Sequence, residues 1–172
     1  LGAVPQQIAA GDIYPALEKG TIDAAEFVGP YDDEKLGFYK VAKHYYYPGW
    51  WEPGPTIHFF VNKKEWEKLP KEYQEAFQAA AYEANVTMLA EYDYKNPLAL
   101  SRLLQQGIKL HSFSDEIMDA AYKASFELYA DESGKNPAFK KIFTEWDKFR
   151  KSQNAWFGLA EARMDRFSQS HK

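Results

Sequence analysis

The first thirty residues alternate two short strand patterns with one helix pattern, and this order restricts the fold more than any other feature. Residues 4–8 and 21–28 are predicted strands, and Asp12 is a plausible N-cap for a helix over 13–19 that ends at Gly20. Short links around a helix between two strands predict a parallel βαβ unit. A parallel pair leaves two edges and two apolar faces uncovered, so the fold needs more sheet than this segment supplies.

Two more strands are predicted at 56–61, where apolar residues alternate, and at 108–113. Between them, Asn62 is the predicted cap of a helix over 63–69. Upstream, Trp50-Trp51-Glu52 lies between a Pro-Gly pair and a Pro-Gly-Pro triplet, which predicts a constrained turn. The predicted fold class is α/β, with few strands and much helix.

The rest of the chain is predicted to be helical, and four interruptions are expected. They are Asn96-Pro97, Gly107, Ser133-Gly134 and Gln153-Asn154. A long amphipathic helix is expected from Pro70 to about residue 94, and a short one over 97–105. The last apolar stripe, from Trp156 to Phe167, has no later element to cover it. It is therefore expected to dock either on this chain or on a second copy.

Composition excludes several classes of protein. The 172 residues contain no cysteine, so disulfides, thiol nucleophiles and iron–sulfur sites are excluded. No apolar run is long enough to span a bilayer, and no G-x-S-x-G, phosphate-loop or dinucleotide motif occurs. Basic residues near the C-terminus are interleaved with aromatics, which favours a solvated helix face over nucleic-acid binding. The first residues include neither an initiator Met nor an export signal, so the chain is expected to begin inside a longer precursor.

Aromatic residues are unusually dense in one region, where eleven of the 34 residues from Phe27 to Phe60 are Phe, Tyr or Trp. This density is typical of a large buried junction or of a cleft that excludes water from a ligand. Two acids lie in this setting: Glu26 at the end of an apolar strand pattern, and Glu52 directly after Trp50-Trp51.

A carboxylate among aromatic rings needs a positive partner. Separate salt bridges are one possibility for Glu26 and Glu52. A hard cation such as Na⁺ or Ca²⁺, held by carboxylate and backbone carbonyl oxygens, is another. The two acids could instead serve a carbohydrate-active enzyme or a sugar-binding module, with Trp50 and Trp51 as the sugar platform. A purely structural module remains the third alternative.

The stretch from Gly11 to Glu26, GDIYPALEKGTIDAAE, resembles the DctP-type substrate-binding proteins of tripartite ATP-independent periplasmic (TRAP) transporters. GPYDD at residues 29–33 and YYPGWWEPGP at 46–55 are similar to the branch that binds 2-oxo acids and related monocarboxylates. The resemblance covers essentially the whole chain and corresponds to the C-terminal half of the family's mature protein.

The resemblance implies the C-terminal portion of a two-lobed, type II periplasmic-binding-protein-like fold with long helices. Residues 1–54 would form a second-lobe segment and an interlobe crossing. Residues 55–107 would return to the first lobe and form the long interlobe helix. Residues 108–172 would supply a second-lobe strand and the C-terminal helices.

The resemblance also implies roles for individual residues. The side chains of Glu26 and Glu52 and the carbonyl of Phe27 would hold a metal ion that bridges the substrate, and Trp50 and Trp51 would line the cleft. The family often has Trp at the position of Phe27. Its substrate-binding Arg and a metal-binding Gln would lie upstream of Leu1, in an N-terminal half that is absent here.

The function expected from this resemblance is capture rather than catalysis. The protein would be periplasmic, would bind a small 2-oxo or 2-hydroxy monocarboxylate and would deliver it to the TRAP membrane permease. Some members of this branch dimerise by exchanging a long C-terminal helix, so a homodimer is expected through the stripe that begins at Trp156. The intact cleft would need the missing N-terminal half.

Overall fold

The computed structural model describes residues 1–52, 54 and 56–171, and these divide into two compact units. The first comprises Gly2–Ser114, and the second begins at Asp115. The first unit contains four α-helices, one short 3₁₀ helix (Phe38–Lys40) and two strands. In chain order the α-helices and strands are α1 (Ala10–Glu18), α2 (Pro30–Leu36), β1 (His44–Tyr47), α3 (Lys63–Lys68), α4 (Lys71–Gln105) and β2 (Lys109–Ser112). The second contains α5 (Asp115–Lys135), α6 (Pro137–Leu159) and α7 (Glu161–Gln169).

The sheet of the first unit consists, among the described residues, of β1 and β2 paired in parallel. Tyr46 lies opposite His111 in the register. The pairing continues past the strands, because the Phe113 N–H donates to the Tyr47 carbonyl at 2.8 Å. The predicted strand at 108–113 is confirmed by β2, and the helix predicted over 13–19 is confirmed by α1.

The predicted βαβ unit at the start of the chain is wrong for the described residues. Segments 4–8, 21–28 and 56–61 form no strand there. An extended segment becomes a strand only when a neighbour takes up its backbone N–H and C=O groups. Apolar periodicity predicts which segments can pair, whereas the presence of a partner decides whether they do.

The small core of the first unit lies where α2 packs against the C-terminal part of α4. Ala99 is fully buried, Leu103 is 3% exposed and Ile108 is 7% exposed. A bidentate salt bridge joins the same two helices. Arg102 Nε donates to Glu34 Oε1 at 2.8 Å, and Arg102 Nη2 donates to Glu34 Oε2 at 2.6 Å. These contacts fix α2, and with it the segment that precedes α2.

The predicted break at Asn96-Pro97 is wrong, since α4 runs through Pro97 without ending. Proline removes one helix hydrogen bond, but local packing compensates for it. Asn96 Oδ1 accepts a hydrogen bond from the Tyr31 N–H at 3.0 Å, and Ala99 lies buried one turn further on. Tertiary contacts therefore override the helix-breaking preference of this pair.

Two further helix ends differ from the predicted positions. The helix α5 passes through Ser133-Gly134 and ends at Lys135, and α6 passes through Gln153-Asn154 and ends at Leu159. The predicted cap Asp12 is wrong, because α1 begins at Ala10 and Asp12 lies inside its first turn. The predicted cap Asn62 is confirmed. The side-chain oxygen of Asn62 accepts from the N–H groups of Lys64 and Glu65, as predicted.

The second unit is held together by rings between α5 and α6. Tyr129 of α5 lies 5.1 Å from Phe143 and 6.2 Å from Trp146 between ring centroids. Arg150 covers the Phe126 ring at 5.0 Å and donates to Asp147. On α6, the apolar residues Ile142, Phe149 and Trp156 are exposed. No helix in the described part of the chain is both long and apolar enough to cross a lipid bilayer.

Candidate functional site

The structure brings Glu26 and Glu52 together, although 25 residues separate them in the chain. Glu26 lies in the segment between α1 and α2. Glu52 follows the turn after β1, in which the Glu52 N–H donates to the Gly49 carbonyl at 3.2 Å. The two carboxyl groups are within hydrogen-bonding reach of each other. Pro53 and Pro55, which complete the predicted turn, lie outside the described residues.

The pairing of two carboxyl groups changes the acidity of Glu26. Burial raises the pKa of Glu26, and the charge and hydrogen bond of Glu52 and the charge of Asp33 raise it further. A hydrogen bond from Trp51 lowers the same pKa, but by less than the other effects raise it. Among the ion pairs formed by described residues, none includes Glu26 or Glu52. The pair thus concentrates negative charge that no basic side chain there balances.

The rings beside this pair form a continuous aromatic wall. Trp51 contacts Trp50 edge to face at a centroid distance of 5.3 Å and lies 6.2 Å from Phe113. On one face of the sheet, the Phe113 ring stacks on Tyr46, and Tyr46 stacks on His111. Trp51 is 46% exposed, so its ring remains accessible next to the carboxylates.

Phe27 contributes its ring and its backbone in different ways. The ring packs edge to face on the buried Phe38 at 5.6 Å. Its carbonyl oxygen accepts no hydrogen bond from any described residue. If α2 extended one turn further back, the Tyr31 N–H would bond this carbonyl, but that N–H donates to Asn96 instead. The Phe27 carbonyl is therefore available to a ligand.

This donor set fits a hard cation. Two carboxylates and a free carbonyl are the oxygen ligands that Ca²⁺ prefers. The described residues contain no cluster of three or more Asp, Glu, His or Cys side chains arranged to hold a metal. Glu26 and Glu52 would thus supply two side-chain ligands, and carbonyl, water or ligand oxygens would complete the shell.

The same proximity disfavours the glycosidase alternative. Retaining glycosidases separate their carboxyl groups by about 5 Å, and inverting ones by about 6.5–9.5 Å, so that a saccharide fits between them. Glu52 acts on Glu26 both by its charge and as a hydrogen-bond partner, which indicates a closer approach than either spacing.

Sequence reasoning missed two features beside the predicted site. Asp33 is buried and accepts a hydrogen bond from the Tyr45 hydroxyl at 2.5 Å, and burial raises its pKa. His44 and His111 looked unrelated because 67 positions separate them, yet Nδ1 of the first lies 2.9 Å from Nε2 of the second. The acidic GPYDD stretch was a signal for Asp33, whereas the histidine pair becomes visible only from the register of β1 and β2.

An open groove of about 460 Å³ lies elsewhere in the first unit, between α2 and α4. Lys35 and Lys95 lie over the Tyr31 ring there, at 4.1 and 5.0 Å from its centroid. None of the predicted site residues lines this groove.

Comparison with known proteins places these features in a family. Residues 1–135 match the model of the DctP family, described as bacterial extracellular solute-binding protein, family 7. The monocarboxylate 2-oxoacid-binding periplasmic protein of Nostoc sp. is 52% identical over 170 residues, which is 99% of this chain and 47% of that protein.

Two solved structures are similar over almost all of the chain. One is a TRAP transporter solute-binding protein from Bordetella bronchiseptica, with 55% identity and a TM-score of 0.95 over 99% of this chain and 51% of that one. It is a mixed-occupancy dimer, with copurified calcium and picolinate in one active site and an apo site. The other, from Colwellia psychrerythraea, has bound calcium and pyruvate, with 34% identity and a TM-score of 0.90 over 96% of this chain and 51% of that one.

The chain spans about half the length of the relatives it matches. Their fold confirms the predicted fold class, which is the α/β architecture of TRAP solute-binding proteins. The present chain contributes helices and a small parallel sheet to that architecture. The matching family consists of solute-binding proteins, which confirms the prediction of a binding protein rather than an enzyme. The chain therefore belongs to the DctP family of bacterial extracellular solute-binding proteins, which serve TRAP transporters.

Proposed function

We propose that the protein containing this chain is a periplasmic binding protein that captures a small 2-oxo or 2-hydroxy monocarboxylate through a bridging metal ion. It then delivers the acid to the permease subunits of a TRAP transporter. The observation that carries the proposal is the convergence of Glu26 and Glu52 beside Trp51, with neither carboxylate paired to a basic side chain of the described residues.

The ligands of the two similar structures support the substrate class. Picolinate and pyruvate differ in shape, but each has a carboxylate next to a second donor atom, a ring nitrogen in one and a keto oxygen in the other. Such acids chelate a metal ion in a five-membered ring. A 2-hydroxy acid shares this arrangement, whereas a simple carboxylate such as acetate does not.

Charge balance favours Ca²⁺ over Na⁺ at this site. Glu26 and Glu52 bring two negative charges, and the acid brings a third. A divalent cation neutralises the two side chains and still attracts the anion, whereas Na⁺ would leave an excess of negative charge. Both similar structures contain calcium.

Each predicted site residue takes a role in this proposal. Glu26 and Glu52 hold the cation through their carboxylates, and Phe27 through its carbonyl. Trp50 and Trp51 line the cleft and exclude water, which strengthens the attraction between cation and acid. The remaining contacts to the acid would come from the rest of the intact protein.

The proposed assignment of chain segments to lobes is the one that the family resemblance implies. Residues 1–54 form a second-lobe segment and an interlobe crossing, residues 55–107 return to the first lobe and supply the long helix, and residues 108–172 complete the second lobe. Support comes from the unbroken helix Lys71–Gln105, whose length of 35 residues suits an element that runs across two lobes.

Calorimetry on the intact protein tests the proposed substrate class. With Ca²⁺ present, pyruvate should bind, and chelation of Ca²⁺ with EDTA should abolish the signal because the bridging ion is removed. Acetate serves as the control and should bind at least about tenfold more weakly, which corresponds to about 1.4 kcal/mol. Equal binding with and without metal would contradict the bridging role. Hydrolysis of an oligosaccharide would favour the enzyme alternative, and binding of no acid would favour a structural module.

We also propose a homodimer through the C-terminal helices. On α6, Ile142, Phe149 and Trp156 recur every seven residues and are 71%, 64% and 61% exposed. This spacing produces one apolar seam along a helix, which is typical of helix-to-helix association. The dimeric Bordetella structure supports the same assembly state.

Removing the seam should dissociate the dimer. Replacing both Phe149 and Trp156 with Ser should raise the dimer dissociation constant at least about 100-fold, because large aromatic residues dominate interface energies. Sedimentation velocity at several protein concentrations measures this change. Tyr82→Ser is the matched control, since Tyr82 is 75% exposed on α4 and should leave the assembly unchanged. An unaltered protein that is monomeric at every concentration would rule the dimer out.

A further inference from the structure

Asn96 is a poor residue type for the interior of α4, where it lies. Asparagine is a weak helix former, and the proline that follows it removes a helix N–H. The helix nevertheless runs past both residues without a break. The Asn96 side chain is half-buried, and its Oδ1 accepts a hydrogen bond from the Tyr31 N–H at 3.0 Å, across 65 positions of the chain. The side chain therefore serves a contact between two helices.

The hydrogen bond to Asn96 supplies a cap that α2 lacks. The first N–H groups of a helix have no partner inside it, and the side chain of the N-cap residue usually accepts one of them. The N-cap of α2 is Gly29, which has no side chain. Pro30 has no N–H, so the Tyr31 N–H is the first in α2 that needs an acceptor. Asn96 provides this acceptor from another helix.

The Asn96 side chain also lies against the backbone just before α2. A β-carbon placed on Gly29 would lie 3.7 Å from Asn96 Oδ1 and 3.9 Å from Asn96 Nδ2. Two residues earlier, the Phe27 ring packs edge to face on the buried Phe38 ring at 5.6 Å. The short link between Glu26 and α2 is thus held at both of its ends.

The other side of the candidate site is also attached to α4. After α4 ends at Gln105, the chain turns at Gly107 and enters β2, which pairs in parallel with β1. The strand β1 leads into the turn that contains Glu52. Glu26 precedes α2, and α2 packs against α4. One helix therefore carries both the sheet that leads to Glu52 and the helix that follows Glu26.

We propose that Asn96 is a positioning residue for the cation site. Its hydrogen bond fixes the start of α2 on α4, and this contact fixes Glu26 relative to Glu52. The inference rests on the proposed function, because that function places a cation between these two carboxylates. Outer groups that orient metal ligands usually change metal affinity strongly when they are replaced.

Calorimetry with Ca²⁺ on the intact protein tests this role. Asn96→Ala removes the acceptor, and we expect Ca²⁺ affinity about tenfold weaker. The variant should fold, because alanine favours a helix more than asparagine does. Asn96→Asp keeps the acceptor oxygen and should restore the affinity to within about threefold, since Asn and Asp cap helices equally well. High ionic strength in all measurements screens the added charge.

Arg102→Gln is the matched control, because it releases the other end of α2 from α4. Arg102 donates two hydrogen bonds to Glu34, which lies three residues after Tyr31. Losing them should lower the melting temperature and leave Ca²⁺ affinity almost unchanged, since Glu34 is further from the link to Glu26. An equal loss of affinity in Asn96→Ala and Arg102→Gln would mean that the site responds to any loosening of α2. That result would overturn the specific role of Asn96.

Amide hydrogen exchange measures the cap directly and needs no metal. In Asn96→Ala, the Tyr31 N–H should exchange at least about tenfold faster, because it loses its acceptor. The Asp33 N–H donates to the Gly29 carbonyl at 2.9 Å, so it is the internal reference and should change less. Unchanged exchange at Tyr31 would contradict the cap and the positioning role with it.

Failure of this inference and failure of the proposed function are distinguishable. Faster exchange at Tyr31 with unchanged Ca²⁺ affinity in Asn96→Ala would overturn the positioning role and leave the cation site in place. Ca²⁺ affinity that is the same in the unaltered protein and in the variant with both Glu26→Gln and Glu52→Gln would contradict the cation site, and this inference with it.

Discussion

Replacing both Glu26 and Glu52 with glutamine should weaken Ca²⁺ binding by the intact protein at least about 100-fold, because charge count sets the affinity of oxygen-ligand calcium sites. Glutamine keeps the size and the carbonyl oxygen but removes the negative charge. Either single variant should lie between the double variant and the unaltered protein. Pyruvate binding should fall in parallel, since the acid is bridged by the same ion.

Without metal, replacing Glu26 with glutamine should stabilise the folded protein, although it weakens Ca²⁺ binding. Burial and the neighbouring carboxylates raise the pKa of Glu26, so the folded state holds this proton to a higher pH than the unfolded state does. At neutral pH the ionised pair consequently disfavours folding, and Glu26→Gln should raise the melting temperature of the metal-free protein. A variant that loses binding because it is misfolded would melt lower.

A matched control accompanies this test. Glu65→Gln and Glu67→Gln together also remove two carboxylates, on either side of Trp66, but away from the predicted site. Calorimetry should show that these changes leave Ca²⁺ affinity within about a factor of two, since screened surface charges act weakly. Equal loss in both double variants would mean that Ca²⁺ responds to net charge and not to a defined site.

Shortening Leu103 to alanine should lower the free energy of unfolding of the first unit by about 2–4 kcal/mol. Leu103 is 3% exposed and lies one turn after Ala99, which is fully buried, in the contact between α2 and α4. Deleting its methyl groups loses their burial and leaves a cavity. The described part of the chain has only six buried apolar residues, so each accounts for a large share of the core.

Leu104→Ala provides the comparison, because it removes the same atoms one position further along the helix. Leu104 is 43% exposed, and its replacement should cost less than about 1 kcal/mol. Urea unfolding followed by circular dichroism measures both variants. Similar costs would contradict the burial pattern of α4 and the way in which it holds α2.

The helices were more predictable from the sequence than the strands, for a physical reason. A cap such as Asn62 acts within three residues, so the sequence contains the whole interaction. A strand needs a partner that is remote in the chain, and 56–61 has the right alternation without one among the described residues. Pro97 shows the converse case, in which a local rule predicted a break and the buried Ala99 maintained the helix.

The candidate site, like the fold, was predictable from the sequence only in part. Glu26 and Glu52 were identifiable because a carboxylate among aromatic residues is chemically conspicuous at the level of sequence. That they meet depends on the path between α1 and α2 and on the turn after β1, which only the fold supplies. Asp33 was missed because its hydrogen bond with Tyr45 joins residues twelve positions apart, and no sequence pattern encodes that contact.

Anomalous diffraction from crystals of the intact protein soaked in Tb³⁺ and pyruvate tests the central claim most directly. One strong peak should lie about 2.3–2.6 Å from carboxylate oxygens of Glu26 and Glu52 and from the Phe27 carbonyl, with the acid bound to the same ion. A peak elsewhere, or pyruvate bound in the cleft with no ion between it and the two glutamates, would contradict the account.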